Sequence, residues 1–146
     1  MIKNKLRMKI ILRNILAVVA GLVLGSAVNM ALVTLGPHII PPPPGGDIST
    51  MEGLKETMHL FKPLNFLFPF LAHALGTLVG ALLAALIATR KQMWFAVGIG
   101  LIFLLGGIQM VMELPSPLWF NILDLAVAYV PMGWLGGWIG MRRSGR

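Results

Sequence analysis

The chain has 146 residues, of which 57% are hydrophobic and only 12% charged. Soluble domains carry about 25% charged residues, so this is the composition of a membrane protein, with room for a few spans in one domain. No cysteine is present, which excludes disulfides, thiol nucleophiles and Cys-based zinc or iron–sulfur sites. The net charge of +7 collects at the ends of apolar runs, with no basic patch interleaved with aromatics, and so argues against nucleic acid as a partner.

Residues 1–13 carry Lys3, Lys5, Arg7, Lys9 and Arg13 and no acid. An apolar run follows from Ile15 to Leu35. The basic start, apolar core and small residues Gly25-Ser26-Ala27 would also suit a cleaved signal peptide. The apolar run goes on past that point, long enough for a full span, so the reading is an uncleaved first span over residues 12–35. Its stripe Ala17, Gly21, Gly25 and Asn29 recurs every four residues, as a helix-packing face does. Gly36-Pro37 is read as its end.

Residues 36–62 form a long loop. Pro41 to Pro44 are consecutive and precede Gly45-Gly46, which predicts a stiff polyproline II spacer with a flexible end. Ser49-Thr50-Met51-Glu52 has the pattern of a capping box. A short amphipathic helix is predicted from Thr50 to Leu60, with Met51, Leu54, Met58 and Phe61 on one face, lying at the membrane surface or packed on the spans. Gly53 weakens that helix.

The second span is predicted over residues 63–89. It contains His73, which shares a face with Gly76, Gly80 and Ala84. A histidine at that depth should face protein or water, and the small residues let a neighbouring helix approach. Pro69 is expected to bend this helix one turn before His73. Arg90-Lys91 make a basic turn. The third span is placed over residues 93–113. The fourth covers residues 118–141 and contains Asp124 and Pro131, with Asp124, Ala128 and Pro131 on one face.

The fold class expected is all-α: a four-helix transmembrane bundle with a long outer loop carrying a polyproline stretch and a short amphipathic helix, residues 1–146 forming one integral membrane domain. Ten of the twelve basic residues lie in the N-terminal tail, the Arg90-Lys91 turn and the C-terminal tail with Arg142, Arg143 and Arg146. An even number of spans puts all three on one side. The positive-inside rule makes that side cytoplasmic, with both termini inside the inner membrane of a cell. Trp94 and Trp138 fall near the inner boundary and Trp119 near the outer one, as interfacial aromatics do.

Val28-Asn29-Met30, the Ile40-Pro41-Pro42-Pro43 run, Asp47 and the stretch from His73 through Gly76 to Gly80 together resemble a family of small, uncharacterised four-span bacterial membrane proteins. The resemblance covers most of the chain. It implies four spans and a bacterial inner membrane; no activity, ligand or catalytic residue comes with it.

Four predicted spans each place a polar residue in the outer half: Asn29, His73, Gln109 and Asp124. Glu113 lies four residues after Gln109, on the same face. These five residues form the candidate polar pocket, and they are equally readable as an interhelical hydrogen-bond network. A charged aspartate at a helix centre costs about 2.5–3.5 kcal/mol on insertion scales, so Asp124 is expected to point into the bundle and to meet His73. Gly21, Gly25, Gly76, Gly80 and Ala84 are the candidate packing residues.

Glu56-x-x-His59 is half of a carboxylate-bridged di-metal motif, and such sites need a second copy. His38, Asp47, Glu52, Glu56 and His59 read as a solvated face, so no metal is expected. Haem needs axial ligands from helices and only His73 lies in a span, so no cofactor is expected either. There is no H-E-x-x-H, no G-x-S-x-G and no phosphate loop, so an enzyme is not expected. Two classes remain. One is a structural or accessory membrane protein binding itself, a membrane partner or lipid through its Gly/Ala faces. The other is a small transporter or channel using His73 and Asp124 for proton or cation coupling.

Overall fold

A computed structural model describes residues 2–143; Arg146, counted above with the basic C-terminal residues, lies outside them. All regular structure among the described residues is helical: α1 (Ile2–Ile39), α2 (Met51–Thr57), α3 (Leu67–Ile87), α4 (Gln92–Glu113), α5 (Leu118–Val127) and α6 (Val130–Arg143), with 3-10 turns at Met58–Leu60 and Pro63–Phe66. Four stretches are long and apolar enough to cross a membrane: Lys3–Ile39, Pro63–Ile87, Gln92–Glu113 and Leu118–Arg143. One end of the bundle carries the polyproline loop and the other the basic residues; they are the loop end and the basic end below.

Helix α3 is the centre. It packs on α1, α4 and α6, and α6 also packs on α4. The reason is the absence of side chains. A Cβ at Gly21 would lie 2.7 Å from the carbonyl oxygen of Gly80, and one at Gly25 2.7 Å from that of Gly76. The reverse holds too: Gly76 abuts the Gly25 carbonyl and Gly80 that of Gly21. The two backbones are thus in contact, the arrangement that small residues permit in apolar surroundings. Ala84 is fully buried beside this crossing. Helix α6 repeats the device twice, with Gly136 and Gly140 against α3 and Gly133 and Gly137 against α4. Ala81, Ala84, Ala85, Ala96 and Ile99 fill the centre towards the basic end with no exposure at all.

Several boundaries differ from those read in the sequence. Helix α1 begins at Ile2 rather than residue 12, because the lysines and arginines of the tail are good helix formers although they are not apolar. Its 38 residues make a rod of roughly 57 Å, longer than the hydrocarbon layer of about 30 Å that a span has to cross. The helix also runs through Gly36-Pro37 to Ile39. Pro37 deprives one carbonyl of its donor, but the turn closes again with Ile40 N–H on the Gly36 carbonyl at 2.8 Å. At the basic end, Arg13 Nε donates to the Ile87 carbonyl at 2.6 Å and caps the last turn of α3.

Pro69 lies in the first turn of α3, where a backbone N–H has no helical partner to lose, so it starts the helix rather than bending it. The fourth span is broken. Helix α5 stops at Val127, Ala128 and Tyr129 form a turn, and α6 restarts at Val130. Pro131 cannot donate to the carbonyl four residues before it, and the ladder opens at that step. Asp124 and Ala128 are buried, but Pro131 is exposed instead of sharing their face.

The loop is a folded cap. Thr50, not Ser49, is the N-cap of α2: its Oγ1 accepts the Gly53 N–H at 2.9 Å. Ser49 turns back, and its N–H and hydroxyl both donate to Asp47 Oδ1. These two bonds hold the Asp47 carboxyl below the usual carboxylate range. Gly53 is required rather than merely tolerated, because a Cβ there would run into the Asp47 carboxylate. Met58 packs with Phe66 and Phe120, which seats α2 on the spans. Asn65 Nδ2 donates to the Pro41 carbonyl at 3.0 Å and ties the polyproline run to the start of α3.

Candidate functional site

Under this cap lies a cavity of about 570 Å³. Its walls come from the last turns of α1 and α4, the first turns of α3 and α5, and α2 above. Most of the lining is apolar, with Phe61, Phe66, Phe68, Phe120, Met110 and Val111 prominent. The polar exceptions near the mouth are largely committed. Ser116 donates to Asn121 Oδ1 at 2.6 Å, and Asn65 is held by Pro41 and Lys62.

The deepest polar group is a pair of side chains, His73 from α3 and Asp124 from α5. His73 Nδ1 lies 2.9 Å from both Asp124 carboxylate oxygens. Tyr129, in the turn between α5 and α6, donates its hydroxyl to Asp124 Oδ2 at 2.9 Å. Asp124 is 2% exposed and so receives two donors in a site almost without water. That is how a buried carboxylate is made tolerable. The His73 side chain is 21% exposed and lines the cavity. With Nδ1 donating to the carboxylate, the neutral ring carries its lone pair on Nε2.

Each element delivers its residue for a local reason. Helix α3 faces His73 inward because Gly76 and Gly80, on the same face, draw α1 in. Helix α5 is short and ends just past Asp124. Tyr129 reaches the carboxylate only because the helix breaks: five residues along a regular helix would turn it well away from Asp124. Gly107 on α4 makes the room, since a Cβ there would meet the Tyr129 ring and hydroxyl.

The sequence-derived set divides. His73 and Asp124 meet. Asn29 is half-buried and packs against Gly76 on the α1–α3 crossing, outside the cavity lining. Gln109 donates to Glu113 Oε1 at 2.9 Å on the outward face of α4, also away from the cavity. An α-helix places them four residues apart on one face, and that face turns out. Gly21, Gly25, Gly76, Gly80 and Ala84 all meet inside the chain. His59 Nδ1–H donates to the Glu56 carbonyl. Among the described residues no three His, Asp or Glu side chains are grouped to hold a metal ion.

Tyr129 is missing from the sequence-derived set. Its signal was available: it is the single tyrosine of the chain, two residues before a mid-span proline. Thr77 is a further buried polar residue outside that set. It lies one turn from His73 towards the basic end, is 1% exposed, and its hydroxyl has no hydrogen-bond partner. Comparison with protein-family models, curated proteins and solved structures gives no match.

Proposed function

We propose that the protein is a non-catalytic accessory protein of the cytoplasmic membrane, and that it binds a lipid-like or other apolar small molecule in the loop-end cavity. One observation carries this reading: a cavity of about 570 Å³, lined mostly by apolar side chains, with the His73–Asp124 pair among its lining residues. Ligand sites are concave, mostly apolar and furnished with few polar groups. Gly21, Gly25, Gly76, Gly80 and Ala84 are already used inside the chain, so that face is not open to a ligand or partner. Catalysis has little support, because Ser116 in the lining donates to Asn121 rather than to a histidine. The test is extraction. Organic extracts of the purified parent should contain a small molecule that extracts of Val111→Trp, with its cavity filled, lack. Identical extracts would overturn the reading.

The orientation proposed puts the basic end in the cytoplasm and the cavity outside. A tag inserted at Gly46, in the exposed loop, is expected to be labelled from outside intact cells. Reporters fused after Lys91 should read as cytoplasmic. A protected Gly46 tag reverses the topology.

A second reading, proton coupling, has two observations of its own. A broken span beside an intramembrane carboxylate is a feature of transporter binding sites, and Thr77 extends the polar line past His73. Against it stands the plug of Ala81, Ala84, Ala85, Ala96 and Ile99 between the pair and the basic end. Proton uptake by liposomes carrying the parent, lost in Asp124→Asn, would favour coupling over simple binding.

A further inference from the structure

The cavity floor has a defined hydrogen-bonding polarity, and that polarity selects a ligand class. Asp124 holds the Nδ1 side of the His73 ring through both carboxylate oxygens, at 2.9 Å each. Tyr129 holds Asp124 in turn at 2.9 Å. The carboxylate can only accept, so the ring must donate through Nδ1. The other ring nitrogen, Nε2, has no protein partner among the described residues, and this side chain, a fifth exposed, lines the cavity. In the neutral ring Nε2 is an acceptor. The walls around it are mostly aromatic and aliphatic, so a ligand group placed there finds few other polar partners. An acceptor facing an acceptor is then strongly disfavoured, and a donor strongly preferred.

We propose that the cavity takes an apolar molecule bearing a hydroxyl group, an alcohol or a phenol, whose O–H donates to His73 Nε2. This rests on the reading of the cavity as a ligand site and adds the chemical class. His73 is the group that touches the ligand. Asp124 is a positioning residue that fixes the ring tautomer, and Tyr129 fixes Asp124. Ketones, ethers and quinone-type carbonyls are the disfavoured class, because they bring an acceptor to an acceptor.

A matched pair of probes tests it: 2-naphthol, which donates, and 2-methoxynaphthalene, which has the same ring system and cannot. Binding is measured by equilibrium dialysis against the protein in lipid nanodiscs, with empty nanodiscs subtracted. The parent should hold 2-naphthol about tenfold more tightly. Asp124→Asn supplies the internal check. Its amide can donate to Nδ1 while its carbonyl keeps the Tyr129 hydroxyl, which drives the ring proton to Nε2. The preference should then vanish or reverse while both probes still bind. Nitrogen-15 spectra of the His73 ring should show the lone pair on Nε2 in the parent and on Nδ1 in Asp124→Asn. A merely structural aspartate would change stability without exchanging the tautomers. Equal affinity for the two probes in the parent overturns the hydroxyl inference and leaves the cavity standing. No saturable binding of either probe, with Val111→Trp indistinguishable from the parent, overturns the cavity reading itself.

Discussion

Gly80→Leu should abolish the folded bundle, and Gly98→Leu should leave it intact. Both substitutions put the same side chain on a span-length helix. At Gly80 even the first added atom, Cβ, would sit 2.6 Å from the carbonyl oxygen of Gly21 and 3.3 Å from Cα of Gly25. Backbone cannot rotate aside as a flexible side chain can, so α1 and α3 must separate along the length of their contact. Overpacking a core usually costs about 1–3 kcal/mol, and opening a backbone-to-backbone crossing belongs at or above the top of that range. At Gly98 a Cβ meets nothing within 4 Å. Gly106→Leu is a second neutral control on the same helix. The measurement is thermal unfolding in detergent, with monodispersity by size exclusion. If Gly80→Leu melts with the parent, the α1–α3 crossing does not hold the bundle together.

The α1–α3 crossing shows what was legible in the chain. A repeat of small residues every four positions is written in one dimension. Gly21, Gly25, Gly76 and Gly80 announced a close approach before any partner was known, because a missing Cβ has few other uses on an apolar helix. The same argument applies to Gly133, Gly136, Gly137 and Gly140. They form no single stripe because they fall on two faces, and α6 uses both, one for α3 and one for α4. Span number and approximate position were legible because length and apolarity suffice for them. The ends of α1 were not: residues 2–11 are helical without being apolar, and a proline in the last turn costs a helix little.

The site divides in the same way. His73 and Asp124 stand out singly, since each is expensive in an apolar helix and the cheapest remedy is each other. Gln109 and Asn29 had the same apparent depth, but depth says nothing about direction around the helix axis. Gln109 proves to share its face with exposed Leu101, Ile102 and Leu105. Tyr129 was hidden by an assumption of regular helix. Reading residues 118–141 as one rod sets it on another face from Asp124, and the break above Pro131 sets it beside the carboxylate. The break itself was readable, as Pro131 was known to remove a hydrogen bond; the direction in which the chain would turn was not. The folded cap depended on Asp47, whose contacts with Ser49 and Gly53 are loop geometry that no period betrays.

Replacing Asp124 by leucine should cost far more stability than replacing it by asparagine. The carboxylate serves two donors at once, His73 Nδ1–H and the Tyr129 hydroxyl, in a site where Asp124 itself is 2% exposed. Leucine is of similar bulk and offers neither acceptor. Each stranded donor costs about 1–3 kcal/mol, and Tyr129, wedged against Gly107 and 2% exposed as a residue, cannot turn to water. Asparagine keeps one carbonyl for Tyr129 and turns its amide to His73, which accepts through Nδ1 after moving its proton to Nε2. Both hydrogen bonds survive as neutral ones, so the loss should be about 1 kcal/mol. Tyr129→Phe falls between the two: it removes one bond to a carboxylate, worth about 1.5–3 kcal/mol, and strands nothing on its own side. The order of melting temperatures should therefore be parent, Asp124→Asn, Tyr129→Phe, Asp124→Leu. The pair Asp124→Leu with Tyr129→Phe should be less damaging than the two losses added together, because the second change removes a donor the first had stranded. Strict additivity, or an asparagine variant as damaged as the leucine one, would mean that the carboxylate does not serve both donors and that the floor of the cavity is held in another way.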